Sequence, residues 1–147
     1  MKKYCFTDDT RCVKGSILHR IRANRDIPRH GVKAGDLGGW IRNEINLSHE
    51  GDAWVGKEAM VLEDACVFGN AIITEHAKAC DHAKIYGNSK VFGEAEVCGN
   101  TWICEDAQVY DNAKVCESIW AAGETRIYGD VVLDGVIRII GNTRIYR

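Results

Sequence analysis

From Gly51 to Tyr146 small and apolar residues recur at a fixed phase. Cut into sixes, the stretch reads GDAWVG, KEAMVL, EDACVF, GNAIIT, EHAKAC, DHAKIY, GNSKVF and GEAEVC. It continues as GNTWIC, EDAQVY, DNAKVC, ESIWAA, GETRIY, GDVVLD, GVIRII and GNTRIY, 16 hexads without an insertion. The fifth position is Val, Ile or Leu in 14 of them, with Ala79 and Ala121 as the exceptions. The third is Ala, Ser or Thr in 13, the others being Ile119, Val131 and Ile137. A helix cannot use this period, because at about 100° per residue it sweeps the apolar positions around the whole cylinder. A strand can, since its third and fifth positions face the same way. Gly, Asp, Glu and Asn at the first two positions supply a turn, helped where the residue tolerates positive φ. Each hexad is therefore one short strand and one corner, and three hexads close a triangular coil.

The pattern predicts an all-β chain: a parallel β-helix of a little over five coils, roughly 25 Å long at about 4.8 Å per stacked strand. Each corner inserts one large and one small side chain, which together fill a narrow prism. Ile119, Val131 and Ile137 break that size rule, so the last coils should be wider or differently packed. Residues 1–50 have another rhythm. KKYCFT and ILHRIRA alternate like two strands around a polar turn, and GDLGG at 35–39 reads as a tight turn or bulge. Trp40, Ile41, Ile45 and Leu47 then lead into the repeat. We expect residues 1–50 to be a β cap over the first coil and residues 51–147 to be the solenoid.

The hexads resemble the left-handed β-helix of hexapeptide-repeat proteins over residues 51–146. They depart from the acyltransferases of that class. Those carry Gly directly after the aliphatic residue, where this chain has Tyr86, Phe92, Cys98, Cys104 and Tyr110. The segment VKAGDLGGWIRNEINLSHEGDAWV, residues 32–55, is similar to the YdcK-like bacterial and phage-borne proteins, in which a short β region leads into repeats of this kind. That resemblance implies left-handed coils and a phage- or prophage-borne binder of a host or self protein. The wider class also implies an alternative: acyl transfer from acetyl-coenzyme A, with a His as general base.

A coil of three hexads makes residues three hexads apart neighbours on one face. One column is Phe92, Tyr110, Tyr128 and Tyr146, either a binding platform or a self-stabilising ladder. Another is Lys84, Trp102, Trp120 and Arg138, read as a partner hot spot or as a cation–π stack. Arg126, Tyr128, Arg144 and Tyr146 interleave base and ring. The candidate protein-binding residues are thus Trp102, Trp120, Tyr110, Tyr128, Tyr146, Arg126 and Arg144. Glu58, His76 and Glu94 share a further column. The column Cys80, Cys98 and Cys116 has no CxxC spacing, and three thiols in a line do not make a tetrahedron, so corner filling is preferred to a metal site. A disulfide between ladder neighbours is sterically feasible. His76 and His82 lie up to roughly 20 Å apart along extended chain and cannot share an ion.

Ile137, Ile139 and Ile145 mark the last coil as an expected oligomer interface, an end-to-end dimer. The competing expectation is an end shielded by Arg and Tyr. A formal net charge of −2 gives no general pull toward nucleic acid, and no apolar run is long enough for a membrane span. With no export signal at MKKYCFTDDT, the 7 Cys are expected as reduced thiols in a cytoplasmic protein. No phosphate loop, catalytic triad or paired metal ligands are apparent, and the unbroken repeat offers no loop to shape a pocket. We therefore expect a non-catalytic solenoid scaffold without catalytic residues, cofactor or metal, binding a protein partner and itself.

Overall fold

A computed structural model describes residues 2–147. Strands β1 (Tyr4–Val13) and β2 (Ser16–Ala23) form an antiparallel hairpin, and β3 (Leu37–Ile41) pairs with β2. A run of two-residue strands follows: β4 (Trp54–Val55), β5 (Met60–Val61), β6 (Cys66–Val67), β7 (Ile72–Ile73), β8 (Lys78–Ala79) and β9 (Lys84–Ile85). It continues with β10 (Lys90–Val91), β11 (Glu96–Val97), β12 (Trp102–Ile103), β13 (Gln108–Val109) and β14 (Lys114–Val115). The last five are β15 (Ser118–Ala121), β16 (Arg126–Tyr128), β17 (Val132–Leu133), β18 (Val136–Ile139) and β19 (Arg144–Tyr146). They stack into three parallel sheets, β3-β5-β8-β11-β14-β17, β4-β7-β10-β13-β16-β19 and β6-β9-β12-β15-β18. The result is a triangular parallel β-solenoid of about six coils. Three hexads make each regular coil, which sets Lys90 beside Gln108 and Trp102 beside Trp120.

The first coil is built from the lead-in and is longer. Trp40 pairs with Met60 and Leu47 with Val67, both further apart in sequence than the partners of a regular coil. Buried Asn46 stitches this coil to the next and uses its whole side chain. Its Oδ1 accepts from the backbone N–H of Arg42 (2.9 Å) and Asn43 (3.0 Å), and its Nδ2 donates to the carbonyls of Glu63 (3.0 Å) and Ala65 (2.7 Å).

The hexad logic is visible in the corners. Every first-position residue from Gly51 to Gly141 has positive φ, including Lys57, Glu63, Glu75, Asp81, Glu105, Asp111 and Glu117. An L-residue with a side chain pays roughly 1–2 kcal/mol there. Five of the acids offset this by reaching one coil on. Glu75, Asp81, Glu105 and Asp111 accept the backbone N–H of Gly93, Gly99, Gly123 and Gly129 at 2.9 to 3.1 Å, and Glu63 accepts that of Asp81 at 3.4 Å. These are charge-assisted bonds to amides left free by the turn. In four of the five pairs an acid is followed one coil later by glycine.

The interior follows the small–large rule. The fifth-position residues Val55, Val61, Val67, Ile73, Ile85, Val91, Val97, Ile103, Val109 and Val115 are all fully buried, with Ala or Ser at most third positions. The rule inverts at ESIWAA, where Ile119 and Ala121 are both buried and exchange their sizes. There β15 and its neighbour β18 lengthen to four residues, so this face broadens where the size rule breaks.

The N-terminal end is closed. Tyr4, Ile21, Ile27 and Trp54 are buried in the main core cluster over the first coil. Tyr4 Oη donates to the Leu47 carbonyl at 2.6 Å and its ring stacks on His49 at 4.1 Å. Arg25 donates to the Gly51 carbonyl (2.7 Å), and His30 Nε2 lies 3.0 Å from that of Asn70. The far part of the hairpin packs on the outside of the first sheet, where Leu18 is buried with Trp40, Met60 and Leu62.

Lys3 is fully buried beneath this cap, with Nζ donating to the Gly51 carbonyl at 3.4 Å. Burial pushes its pKa down to about 8; Arg25 adds to the fall and Asp52 opposes it. The unfolded chain keeps this proton up to about 10.5, so between these values the unfolded state binds more protons and stability rises with pH. Lys3→Met should flatten that rise, as urea unfolding at about pH 7 and about pH 9.5 will show.

Candidate functional site

The solenoid turns every fourth hexad position outward and sets every sixth on a corner, so candidate residues form columns whose members stand about 4.8 Å apart. The aromatic column is continuous. Phe92–Tyr110, Tyr110–Tyr128 and Tyr128–Tyr146 stack at 4.9, 5.0 and 5.1 Å with interplanar angles of 5°, 3° and 14°. Rings stacked on each other offer edges rather than faces, which is the geometry of a ladder. Only the terminal Tyr146 is largely exposed, at 65%. Arg126 and Arg144 are in register beside it. Arg126 Nη1 donates to Gln108 Oε1 at 3.0 Å, whereas Arg144 is exposed.

Trp102 and Trp120 are adjacent in register on β12 and β15, with Lys84 next to Trp102 on β9. They differ in environment. The Arg138 guanidinium lies 4.3 Å over the Trp120 ring, and Trp120 Nε1 donates to Cys104 Sγ at 3.2 Å. Trp102 meets Tyr86 edge-on at 6.3 Å and is 43% exposed, facing a shallow hollow with His82, Lys84 and Asn100.

A deeper groove of about 540 Å³ lies under the hairpin. Arg11 of β1 forms its wall, stacked over Trp40 at 4.3 Å and 3.5 Å from Glu58. Its floor is two outward columns: Glu58, His76, Glu94 and Asn112, and beside them Met60, Lys78, Glu96 and Lys114. The column of Glu58, His76 and Glu94 was legible in the sequence. Arg11 was not, because it lies outside the repeat and only the fold of the hairpin brings it there.

The two ends of the rod differ. At the C-terminal end β17, β18 and β19 each pair on one side only among the described residues. Ile139 is buried and Ile137 and Ile145 are half-buried against the core. The large apolar side chains exposed there are their outward neighbours Val132 (62%), Val136 (90%), Ile140 (56%) and Tyr146, among the exposed polar and charged Asp134, Arg138, Arg144 and Arg147. The inward residues are the ones the repeat picks out. For Val136 the signal was an apolar residue at the second hexad position, which is polar in every earlier hexad; Val132 and Ile140 stand at positions that earlier hexads also fill with apolar residues, and the repeat does not mark them.

Cys98 and Cys116 are joined as a disulfide, with Cα atoms 4.6 Å apart, the ordinary spacing of stacked strands, so the ladder brings two of the seven cysteines together where the sequence led us to expect reduced thiols throughout. Cys5, Cys12, Cys66, Cys80 and Cys104 are free. No helix among the described residues is long and apolar enough to cross a membrane. No protein-family model matches the chain, and no curated protein matches it either.

Proposed function

We propose that the chain is a non-catalytic scaffold solenoid of the left-handed hexapeptide-repeat type, YdcK-like and phage- or prophage-borne, which works in the cytoplasm by binding protein. Its first partner is a second copy of itself, docked end to end through the C-terminal coil. The observation that carries this reading is the asymmetry of the ends. One is sealed by Tyr4, Ile21, Ile27 and Trp54. The other presents three half-paired strands and the exposed side chains of Val132, Val136, Ile140 and Tyr146. Unpaired strand edges with apolar neighbours are templates for another chain. A two-fold contact uses the same patch on both copies, so the edges and apolar side chains of one end cover those of the other. Trp102, with Tyr110, Tyr128, Arg126, Arg144 and Trp120 around the lower faces, is left to meet a heterologous protein partner.

Acyl transfer is the competing reading, and His76 in the groove is the observation that favours it. The donor set does not fit acetyl-coenzyme A. Glu58, Glu94 and Glu96 line the same groove as Arg11, Lys78 and Lys114, so a polyanionic phosphate chain meets as many carboxylates as cations.

Light scattering decides between these readings. The wild type should have twice the chain mass of 16.4 kDa, and Val136→Asp should return it to the monomer mass without changing the circular dichroism spectrum. Ile139→Asp should also dissociate it, but with loss of the last coil, because Ile139 is buried. Added acetyl-coenzyme A should change neither mass nor melting temperature. A wild type that stays monomeric at micromolar concentration overturns the end-to-end reading, and a larger assembly stabilised by the coenzyme restores the acyltransferase.

A further inference from the structure

The cysteine column gains a donor that a line of thiols lacks. Asp81 follows Cys80 around the corner, so its carboxylate stands off the column axis. Cys80 Sγ, Cys98 Sγ and an Asp81 carboxylate oxygen all lie within 4.8 Å of one another. Asp81 is also held in place: its Oδ2 accepts the Gly99 backbone N–H at 2.9 Å. Hydrogen-bonded carboxylates of this kind are what orients a ligand toward an ion. Glu63, one coil up, accepts the Asp81 N–H and adds a second negative charge nearby, while Lys14 of the hairpin is the cation facing Cys80.

We propose that Cys80, Cys98 and Asp81 bind a thiophilic divalent cation of the zinc or cadmium class, and that this site opens when the Cys98–Cys116 disulfide is reduced. With Zn–S near 2.3 Å, tetrahedral ligands stand about 3.8 Å apart. Closing from the present spacing takes up to about 1 Å, a small χ1 adjustment shared among the side chains. In the oxidised chain Cys98 is committed to Cys116. A dithiol reductant supplies two electrons and two protons to the Sγ–Sγ bond, leaves two thiols and is itself oxidised to a disulfide. Binding of the cation then releases the thiol protons of Cys80 and Cys98 to solvent. Cys116, freed in the same step as a thiol, stands one coil from Cys98 beside the site. The site is independent of the self-association reading.

The test uses the full chain with exposed Cys5 and Cys12 changed to Ser, reduced with a phosphine and titrated with Cd²⁺ alone. The expected result is one Cd²⁺ per chain, a sulfur-to-cadmium charge-transfer band and a raised melting temperature. The oxidised protein should bind at least about 100-fold more weakly, and Cys80→Ser or Asp81→Asn about 10–100-fold more weakly. Asp81→Asn is the safer variant. Asn tolerates the φ of 58° and keeps an oxygen for the Gly99 N–H, so loss of binding there is not loss of fold. Absence of the band in the reduced protein, or a band unchanged in Cys80→Ser or by oxidation, overturns the proposal.

Discussion

Gly99→Val should be the most damaging single change in the solenoid, costing about 3–5 kcal/mol. Gly99 has φ +71°, and a Cβ there would stand 2.5 Å from the Glu117 carbonyl oxygen, 2.6 Å from its nitrogen and 2.8 Å from its Cα. All three atoms are backbone of the next coil, held by the parallel ladder, so the neighbour cannot swing aside. A β-branched residue adds its own steric conflict at positive φ. Gly135 separates the two contributions. It also has positive φ, 104°, yet nothing lies within 4 Å of where its Cβ would stand. Gly135→Ala should therefore cost only the conformational part, about 1 kcal/mol. Urea unfolding of the two variants reads the difference. Equal losses would mean that coil-to-coil contact at Gly99 is not what selects glycine.

Trp54→Ala should cost about 3–5 kcal/mol and should act on one end of the molecule. Trp54 occupies an outward fourth position yet is only 2% exposed. The reason is the cap: a Cβ on Gly38 would touch both Ile21 Cγ1 and Trp54 Cζ2 at 2.7 Å, so the indole fills the seam between lead-in and solenoid over that glycine. A solenoid gains its stability from neighbouring coils, and a defect at one end need not propagate. Hydrogen exchange in Trp54→Ala should therefore show β1, β2 and β3 losing protection while β10 to β16 keep theirs. Uniform loss along the rod would show the cap and the coils to be one cooperative unit.

The architecture was legible because its physics is local and repeated. An aliphatic residue every six positions, a small one two places before it and a turn-forming residue two places after it leave only one way to bury the apolar side chains. The column neighbours Trp102–Trp120, Phe92–Tyr110–Tyr128–Tyr146 and Cys98–Cys116 follow from that period by counting three hexads. The break in the size rule at Ile119 likewise announced the broader face of β15 and β18. The sequence also showed why the corners favour Gly, Asp and Glu, though not that an acid such as Asp81 reaches forward to the Gly99 amide. That bond depends on side-chain direction, which the repeat does not encode.

What only the tertiary structure decided lies outside the period or between columns. The hairpin has no repeat to fix its path; packing of Leu18 on Trp40, Met60 and Leu62 lays it over one face and sets Arg11 above the groove. The core alone made Ile137, Ile139 and Ile145 prominent, but their inward direction leaves Val132, Val136 and Ile140 as the exposed surface. A column of thiols became a three-donor cluster only when the corner carried Asp81 around to the same side. Sequence by itself determined the stacking, because stacking is a matter of period. Where an unrepeated segment folds back, and which donors converge across a corner, depends on the placement of side chains in three dimensions.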